Sequence, residues 1–263
     1  MPAVVLLALI LIIAQAAAFS APLKSMPDLS VTLKLAVDEQ GAVDDLAKEA
    51  ARFTSEASLD AVHRLRRDSD AVLVGVETVI RDNPSLTVRR VPIDGLTQPC
   101  RVVLDRQLRI PEPEGLQILS DGNPTIVYYA CEGTAGRANV LSPVISRPLL
   151  HTALMSTPWL LFSFVPTSMQ VLQDLQGRGV THLMVEGGPA TARRFLSAGL
   201  VDRAIIVHAP VRFNEPVPSG IEDTTLTDAG LKSVGVTEWG ADKVTCWSKP
   251  GLDWPGEGIG KWP

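Results

Sequence analysis

Leu183-Met184-Val185-Glu186-Gly187-Gly188-Pro189 is the stretch that decides the fold, because it has the pattern of a buried strand followed directly by a helix. Three apolar residues precede the glutamate, as in a strand that is covered on both faces. Pro189 suits the first helical turn, where its missing N–H group would have no partner. In open α/β sheets, ligands bind where the carboxyl ends of strands lead into helices. The stretch therefore predicts a ligand site at a strand–helix junction.

The two glycines and the glutamate of this junction indicate what the ligand is. Gly187 and Gly188 lack the Cβ atoms that would keep a phosphate from a helix N-terminus, and Thr191 can add a hydroxyl donor. The alternative is a tight structural turn. Glu186 ends an apolar strand, where a carboxylate is costly unless it binds something. Its partner is a ligand, a neighbouring backbone N–H group or an arginine.

Buried strands and amphipathic helices alternate on both sides of the junction. The predicted strands are 31–37, 71–76, 101–105, 125–129, 159–165, 181–186 and 204–208, the predicted helices are 55–67, 169–175 and 190–198, and 232–238 with 243–247 form a closing antiparallel pair. The pattern predicts an α/β fold with an open, mostly parallel sheet, helices on both faces and an antiparallel C-terminal strand pair. We assign 29–247 to one domain and 248–263 to a tail rich in Gly, Pro and Trp. Residues 132–157 and 213–229 are predicted as loops, and the acid- and alanine-rich 42–50 favours a helix.

Composition excludes several classes of function. The net charge of −5 and the lack of a basic block argue against a nucleic-acid partner, although they allow a local basic pocket for a phosphate. The three cysteines have no Cys-x-x-Cys spacing, and the four histidines are scattered. We therefore expect no metal site and no disulfide framework, and a zinc deaminase site is absent.

The N-terminus resembles a targeting signal. Residues 4–13 are an unbroken apolar run, too short to span a bilayer, and Ala16-x-Ala18 fits a cleavage site. Phe19 directly after this site resembles the bipartite plastid presequence of diatoms and related algae. We therefore predict a presequence over 1–28, import into the plastid stroma and no stable membrane anchor. The alternatives are the ordinary secretory pathway and an uncleaved amphipathic anchor.

Several motifs in order resemble the reductase domain of the bifunctional riboflavin-biosynthesis deaminase–reductase. They are Val31–Ala36, Val62–Arg66, Asp70–Gly75, Thr78-Val79, Asp82–Arg89, Arg101–Asp105 and the stretch from Leu183 through Asp202 to Ala209-Pro210. The resemblance implies a dihydrofolate-reductase-like fold and a homodimer. It also implies NADPH-dependent reduction of 5-amino-6-(5-phosphoribosylamino)uracil to the phosphoribitylamino product. The earlier diaminopyrimidinone remains open as substrate.

The resemblance also implies roles for individual residues. Positions matching the family's cofactor site are Val37, Thr78, Asp82, Arg106, Gly188, Pro189, Ala190, Thr191, Ala192, Arg193 and Arg194. Positions matching its substrate site are Arg66, Leu86, Arg89 and Glu186, and we expect Glu186, Asp82 and Lys34 to serve catalysis.

Each of the charged positions has an ordinary alternative. Arg66 and Arg89 suit a substrate phosphate, but both also lie in arginine-rich stretches typical of a solvated surface. Arg106 either binds the 2′-phosphate of NADPH or is a turn residue. Lys34 points into the cleft or extends at a sheet edge.

Two stretches depart from the family. The first turn is Asp38-Glu39-Gln40-Gly41 where the family has Ser-Leu-Asp-Gly. Ala50-Ala51-Arg52-Phe53-Thr54 replaces a Ser-x-Trp-Ile-Thr-like stretch whose Ser contacts substrate and whose Trp contacts NADPH. A divergent paralogue, weak or inactive in catalysis, that binds nucleotide or partners another riboflavin enzyme is therefore the main alternative. Dihydrofolate reductase proper would share only the fold.

Overall fold

A computed structural model describes residues 29–47, 53–110, 115–130, 160–164 and 167–263. The predicted presequence (1–28), the predicted loop 132–157 and residues 50–52 of the altered stretch lie outside the described residues. Within these ranges, no helix combines the length and apolar character needed to cross a membrane.

The described elements alternate as the sequence predicts. The strands are β1 (Ser30–Val37), β2 (Ala42–Asp45), β3 (Ala71–Gly75), β4 (Cys100–Leu104), β5 (Thr125–Tyr129), β6 (Leu160–Phe164), β7 (His182–Val185), β8 (Arg203–His208), β9 (Pro216–Pro218), β10 (Lys232–Trp239) and β11 (Asp242–Ser248). The helices are α1 (Glu56–Arg67), α2 (Val76–Asp82), α3 (Gln117–Ser120), α4 (Ser168–Gly177), α5 (Pro189–Ser197) and α6 (Asp223–Asp228).

Nine of the described strands form one sheet in the order β10-β11-β8-β1-β7-β3-β4-β5-β6. The seven strands from β8 to β6 are parallel, whereas β11 runs antiparallel to β8 and β10 antiparallel to β11. This confirms the predicted α/β sheet and its closing antiparallel pair. Because β1, β3, β4 and β7 are parallel, the loops after them meet at one edge.

The core lies on both faces of this sheet because successive strand side chains alternate. In β3, Leu73 packs in a cluster with Phe195 of α5. Its neighbours Val72 and Val74 pack in a second cluster with Leu65 of α1. Ser55 begins α1 as predicted, with its hydroxyl accepting from the Ser58 N–H at 3.3 Å. The predicted helices on both faces are thus confirmed.

Four elements correct the sequence predictions. The stretch predicted as helical begins with strand β2, which pairs antiparallel with β9 in a separate two-stranded sheet. Strand β9 and helix α6 lie in the predicted loop 213–229, and α2 was not predicted. The acidic residues explain β2: Asp45 accepts from the backbone N–H groups of Asn214 and Glu215 at 3.1 and 3.0 Å. These long-range side-chain bonds outweigh local helix propensity.

The C-terminal segment 248–263 packs back onto the domain. Trp254, Ile259 and Trp262 contact the cluster that includes Leu65. Arg203 Nη2 donates to the Asp253 carbonyl at 2.8 Å, and Arg64 Nε donates to the Pro263 carbonyl at 3.0 Å. The segment therefore covers part of the core beside α1.

Candidate active site

A cleft of about 1600 Å³ opens at the carboxyl ends of β1, β3, β4 and β7. It unites most of the predicted site residues, namely Lys34, Arg66, Thr78, Asp82, Leu86, Arg89, Arg106, Glu186, Gly188, Pro189, Ala190, Thr191 and Arg194. The site thus lies at the edge where the parallel strands bring their loops together.

The central feature of the cleft is an ion pair between Arg66 of α1 and Glu186 after β7. Arg66 Nε and Nη2 donate to the two Glu186 carboxylate oxygens at 2.8 Å each, and Nη1 donates to the Thr87 carbonyl at 3.3 Å. The side chains are 10% and 17% exposed. Burial alone would raise the pKa of Glu186, but the Arg66 guanidinium and Lys34 lower it overall.

This pairing gives Arg66 a partner within the protein. The guanidinium uses three of its five N–H donors in bonds to described residues, so the predicted contact with substrate would fall to the remaining two. It also holds Glu186 in its ionised form, so an arginine is one partner of this carboxylate. Glu186 in turn faces the cleft from a fixed position.

Lys34 lines the same part of the cleft from β1. Because β1 lies in the middle of the sheet, the alternative of a lysine extending at a sheet edge is excluded. Burial lowers the pKa of Lys34 overall, although Glu186 opposes this shift. An ammonium group that gives up its proton more readily than usual is suited to proton transfer.

His63 is a cleft residue that the sequence predictions did not single out. It lies one turn before Arg66 on α1 and is 4% exposed. Its Nδ1 accepts from the backbone N–H of Arg89 at 3.1 Å. Burial, then the cations of Arg66 and Arg89, lower its pKa to about 4. The i, i+3 spacing from Arg66 was the available signal, because it puts both side chains on one helix face.

The loop after α2 is held in a strained conformation at the cleft. Leu86 has a φ of 54° and Asn83 a φ of 41°, in the left-handed region that non-glycine residues avoid. The buried Arg101 donates to the Ser85 carbonyl at 3.2 Å and so braces the loop. Leu86 is buried in the cleft wall, and the Arg89 guanidinium donates to the Ser85 hydroxyl.

Gly75 and Gly187 make room for Thr191 at the start of α5. A Cβ on Gly187 would lie 2.7 Å from Thr191 Cβ, and one on Gly75 would lie 2.6 Å from Thr191 Oγ1. Gly188 differs, because a Cβ added there would have Thr78 Oγ1 as its nearest described neighbour, at an ordinary van der Waals distance of 3.7 Å. Close packing of strand and helix therefore explains Gly187, whereas Gly188 leaves space that a ligand can use.

The N-terminus of α5 presents backbone donors to the cleft. Gly188 is the N-cap, and no described side chain caps the helix. The Ala192 N–H makes the first intrahelical bond, to the Gly188 carbonyl at 3.1 Å, so the N–H groups of Ala190 and Thr191 precede the helical ladder. Exposed Arg106 and Arg194 line the cleft nearby. This combination suits an anion.

Three predicted cofactor residues are not brought into the cleft. Val37 of β1 and Ala192 of α5 are buried in the core cluster that also contains Phe195. Arg193 turns away on α5 and donates to the Ser219 carbonyl at 2.5 Å. Asp82 does line the cleft, where partial desolvation of its exposed side chain and the nearby Asp44 raise the pKa of its carboxyl.

The described part of the wall that departs from the family includes two aromatic rings. Phe53 and Phe213 line the cleft and pack edge to face, with ring centroids 4.9 Å apart. Asp38 holds the altered first turn, accepting from the backbone N–H groups of Gln40 and Ala42 at 2.8 Å each and of Phe213 at 3.0 Å. The aspartate therefore links the turn to one of the cleft aromatics. Among the described residues, no group of three His, Cys, Asp or Glu could hold a metal ion.

Comparison with known proteins places these features in one family. A family profile described as the RibD C-terminal domain matches residues 29–244. The riboflavin biosynthesis protein RibD of Aquifex aeolicus is 34% identical over 204 residues, which cover 78% of this chain and 51% of that protein. The 2,5-diamino-6-ribosylamino-4(3H)-pyrimidinone 5′-phosphate reductase of Methanothermobacter thermautotrophicus is 31% identical over 182 residues, 69% of this chain and 76% of that protein.

A solved structure agrees with the fold. Acinetobacter baumannii RibD superposes with a TM-score of 0.66 at 23% identity, covering 86% of this chain and 58% of that one. The chain thus spans about half the length of the RibD proteins it resembles.

Proposed function

The chain belongs to the RibD C-terminal domain family, and on that premise we propose that it is a reductase of riboflavin biosynthesis. The proposed reaction is reduction of 5-amino-6-(5-phosphoribosylamino)uracil to 5-amino-6-(5-phosphoribitylamino)uracil, with NADPH as the reductant. The observation that carries the proposal is one cleft that joins the Arg66–Glu186 pair to the anion-binding start of α5. Its volume of about 1600 Å³ exceeds the roughly 300–1,000 Å³ of a common ligand pocket, as a site for two ligands requires.

The described residues fit NADPH. Gly188 leaves space beside the N–H groups of Ala190 and Thr191, which would hold the pyrophosphate. Exposed Arg106 and Arg194 match the 2′-phosphate, since arginines bind phosphate through two N–H groups. When bound, NADPH supplies the hydride that reduces the imine carbon C1′ of the opened ribose.

The opposite side of the cleft fits the phosphosugar. Arg89 binds the 5′-phosphate at the cleft mouth, while Leu86 packs against the substrate. The ionised Glu186 accepts from a ribose hydroxyl or from the amine nitrogen at C1′. Reduction of the imine adds one hydride to carbon and one proton to nitrogen. Lys34, whose pKa is lowered by burial, donates that proton, and Asp82 positions the cofactor.

The proposal is tested by cofactor oxidation with the full chain. NADPH should be consumed with the phosphoribosylaminouracil, more slowly with the diaminopyrimidinone form, and more slowly with NADH as reductant. Glu186→Gln should remove turnover while the protein still binds NADPH. Binding of NADPH without turnover of either pyrimidine would contradict the proposed reductase activity and favour the alternative of a non-catalytic paralogue.

Two further proposals concern the setting of the enzyme. We propose plastid import, supported by the apolar run 4–13, the Ala16-x-Ala18 site and Phe19. A fluorescent fusion should enter plastids, and Phe19→Ala should divert it; secretion of the fusion would contradict this.

We propose a homodimer on the family resemblance, for which light scattering should give twice the chain mass of 28.2 kDa.

A further inference from the structure

The His63 ring is oriented by the protein through one of its nitrogens. Nδ1 accepts from the Arg89 backbone N–H at 3.1 Å, so the proton of the neutral ring lies on Nε2. Nε2 has no hydrogen-bond partner within the described part of the chain. It is absent from the fully buried, unpartnered atoms of that part, so solvent can reach it. Since His63 lines the cleft, its Nε2–H is a donor available to a ligand.

The surroundings of His63 fix its charge as well. Burial and the cations of Arg66 and Arg89 hold its pKa at about 4, against the opposing effect of Glu186. The ring is therefore neutral near neutral pH. A neutral N–H donor in a largely buried cleft wall suits an uncharged oxygen, because charged oxygens form stronger bonds with the neighbouring arginines.

The position of His63 selects the part of the ligand it meets. It accepts a bond from the backbone of Arg89, the proposed phosphate ligand. It is also close enough to Glu186, the proposed partner of the C1′ end, for that carboxylate to affect its pKa. Between a 5′-phosphate and C1′ a phosphoribosylamine carries the hydroxyl groups of its sugar. We infer that His63 is a substrate-binding residue, which donates its Nε2–H to a sugar hydroxyl oxygen and so selects for the ribose chain. The identity of this ligand rests on the proposed function.

Two variants separate this role from a structural one. In His63→Asn, the amide oxygen occupies the place of Nδ1 and keeps the bond from Arg89, while the distal donor is lost. In His63→Gln, the amide nitrogen replaces Nε2 and keeps the distal donor, while the bond from Arg89 is lost. A substrate-binding role predicts that Asn is the damaging change. A purely structural role predicts that Gln is.

The experiment measures calorimetric binding of the phosphoribosylaminouracil to the full chain, with NADPH binding and thermal denaturation as controls. We expect about tenfold weaker pyrimidine binding for His63→Asn, and a change within about threefold for His63→Gln, with NADPH affinity unchanged in both. Equal affinity of wild type and His63→Asn, or a larger loss in His63→Gln, overturns the inference. Binding without NADPH oxidation by the wild type would refute the proposed reaction, yet the two variants would still decide the role of His63.

Discussion

Breaking the buried ion pair between Arg66 and Glu186 gives a prediction whose size follows from the structure. Arg66→Met keeps an unbranched apolar stem but removes both N–H donors to the Glu186 carboxylate. Losing one partner of a buried pair costs about 3–5 kcal/mol, because the other charge is left uncompensated. The side chains retain 10% and 17% exposure, and Lys34 offers partial compensation. We therefore expect a loss of about 2–3 kcal/mol in the free energy of unfolding.

The assay is a double-mutant cycle by urea denaturation at neutral pH. Glu186→Gln removes the charge that Arg66 holds, so the double variant should regain much of the stability that Arg66→Met loses. The coupling energy between the two substitutions should reach about 2 kcal/mol. Additive effects, with a coupling below about 0.5 kcal/mol, would refute a mutually neutralising pair.

Three other outcomes are expected. Gly187→Ala should cost about 1–3 kcal/mol in stability, because its Cβ would lie 2.7 Å from another side chain. Gly188→Ala should weaken NADPH binding and leave stability within about 0.5 kcal/mol. Equal shifts of the melting temperature in the two variants would contradict this. Lowering the pH from 7 to 5 should cost the wild type about 1 kcal/mol more stability than His63→Gln. The unfolded histidine takes up a proton near its ordinary pKa of 6.5, while the folded one resists down to about 4; parallel pH profiles would exclude a depressed pKa. Alanine at Arg106 or Arg194 should weaken binding of NADPH by about 1–2 kcal/mol more than binding of NADH, as fluorescence titration can measure, and equal losses would remove these residues from the 2′-phosphate site.

The sheet was predictable from sequence because its strands are apolar throughout and its helices are amphipathic. Strand 125–129 lies where it was predicted, and the other predicted strands differ by one residue at one or both ends. Strand β2 was not predictable from local composition. It exists because Asp45 binds backbone N–H groups that lie about 170 residues further along the chain. Helix α2, at seven residues, is too short to show a clear period.

The candidate site was predictable in its members but not in its contacts. Family motifs led to Glu186 and Arg66 separately, whereas their mutual pairing depends on the packing of α1 against the end of β7. A match in sequence position alone did not predict side-chain direction. Val37 and Arg193 lie near the site in sequence, but their side chains point away from the cleft. His63 was overlooked because the four histidines are scattered along the sequence and form no recognisable motif.

The central claim is hydride transfer to the sugar carbon, and product labelling tests it most directly. The full chain is incubated with the phosphoribosylaminouracil and NADPH that carries deuterium at the transferable position of nicotinamide C4. The proposed reaction predicts a phosphoribitylamino product with one deuterium bound to C1′, as mass spectrometry can locate. A product without deuterium, or no product while the protein binds both ligands, would contradict it.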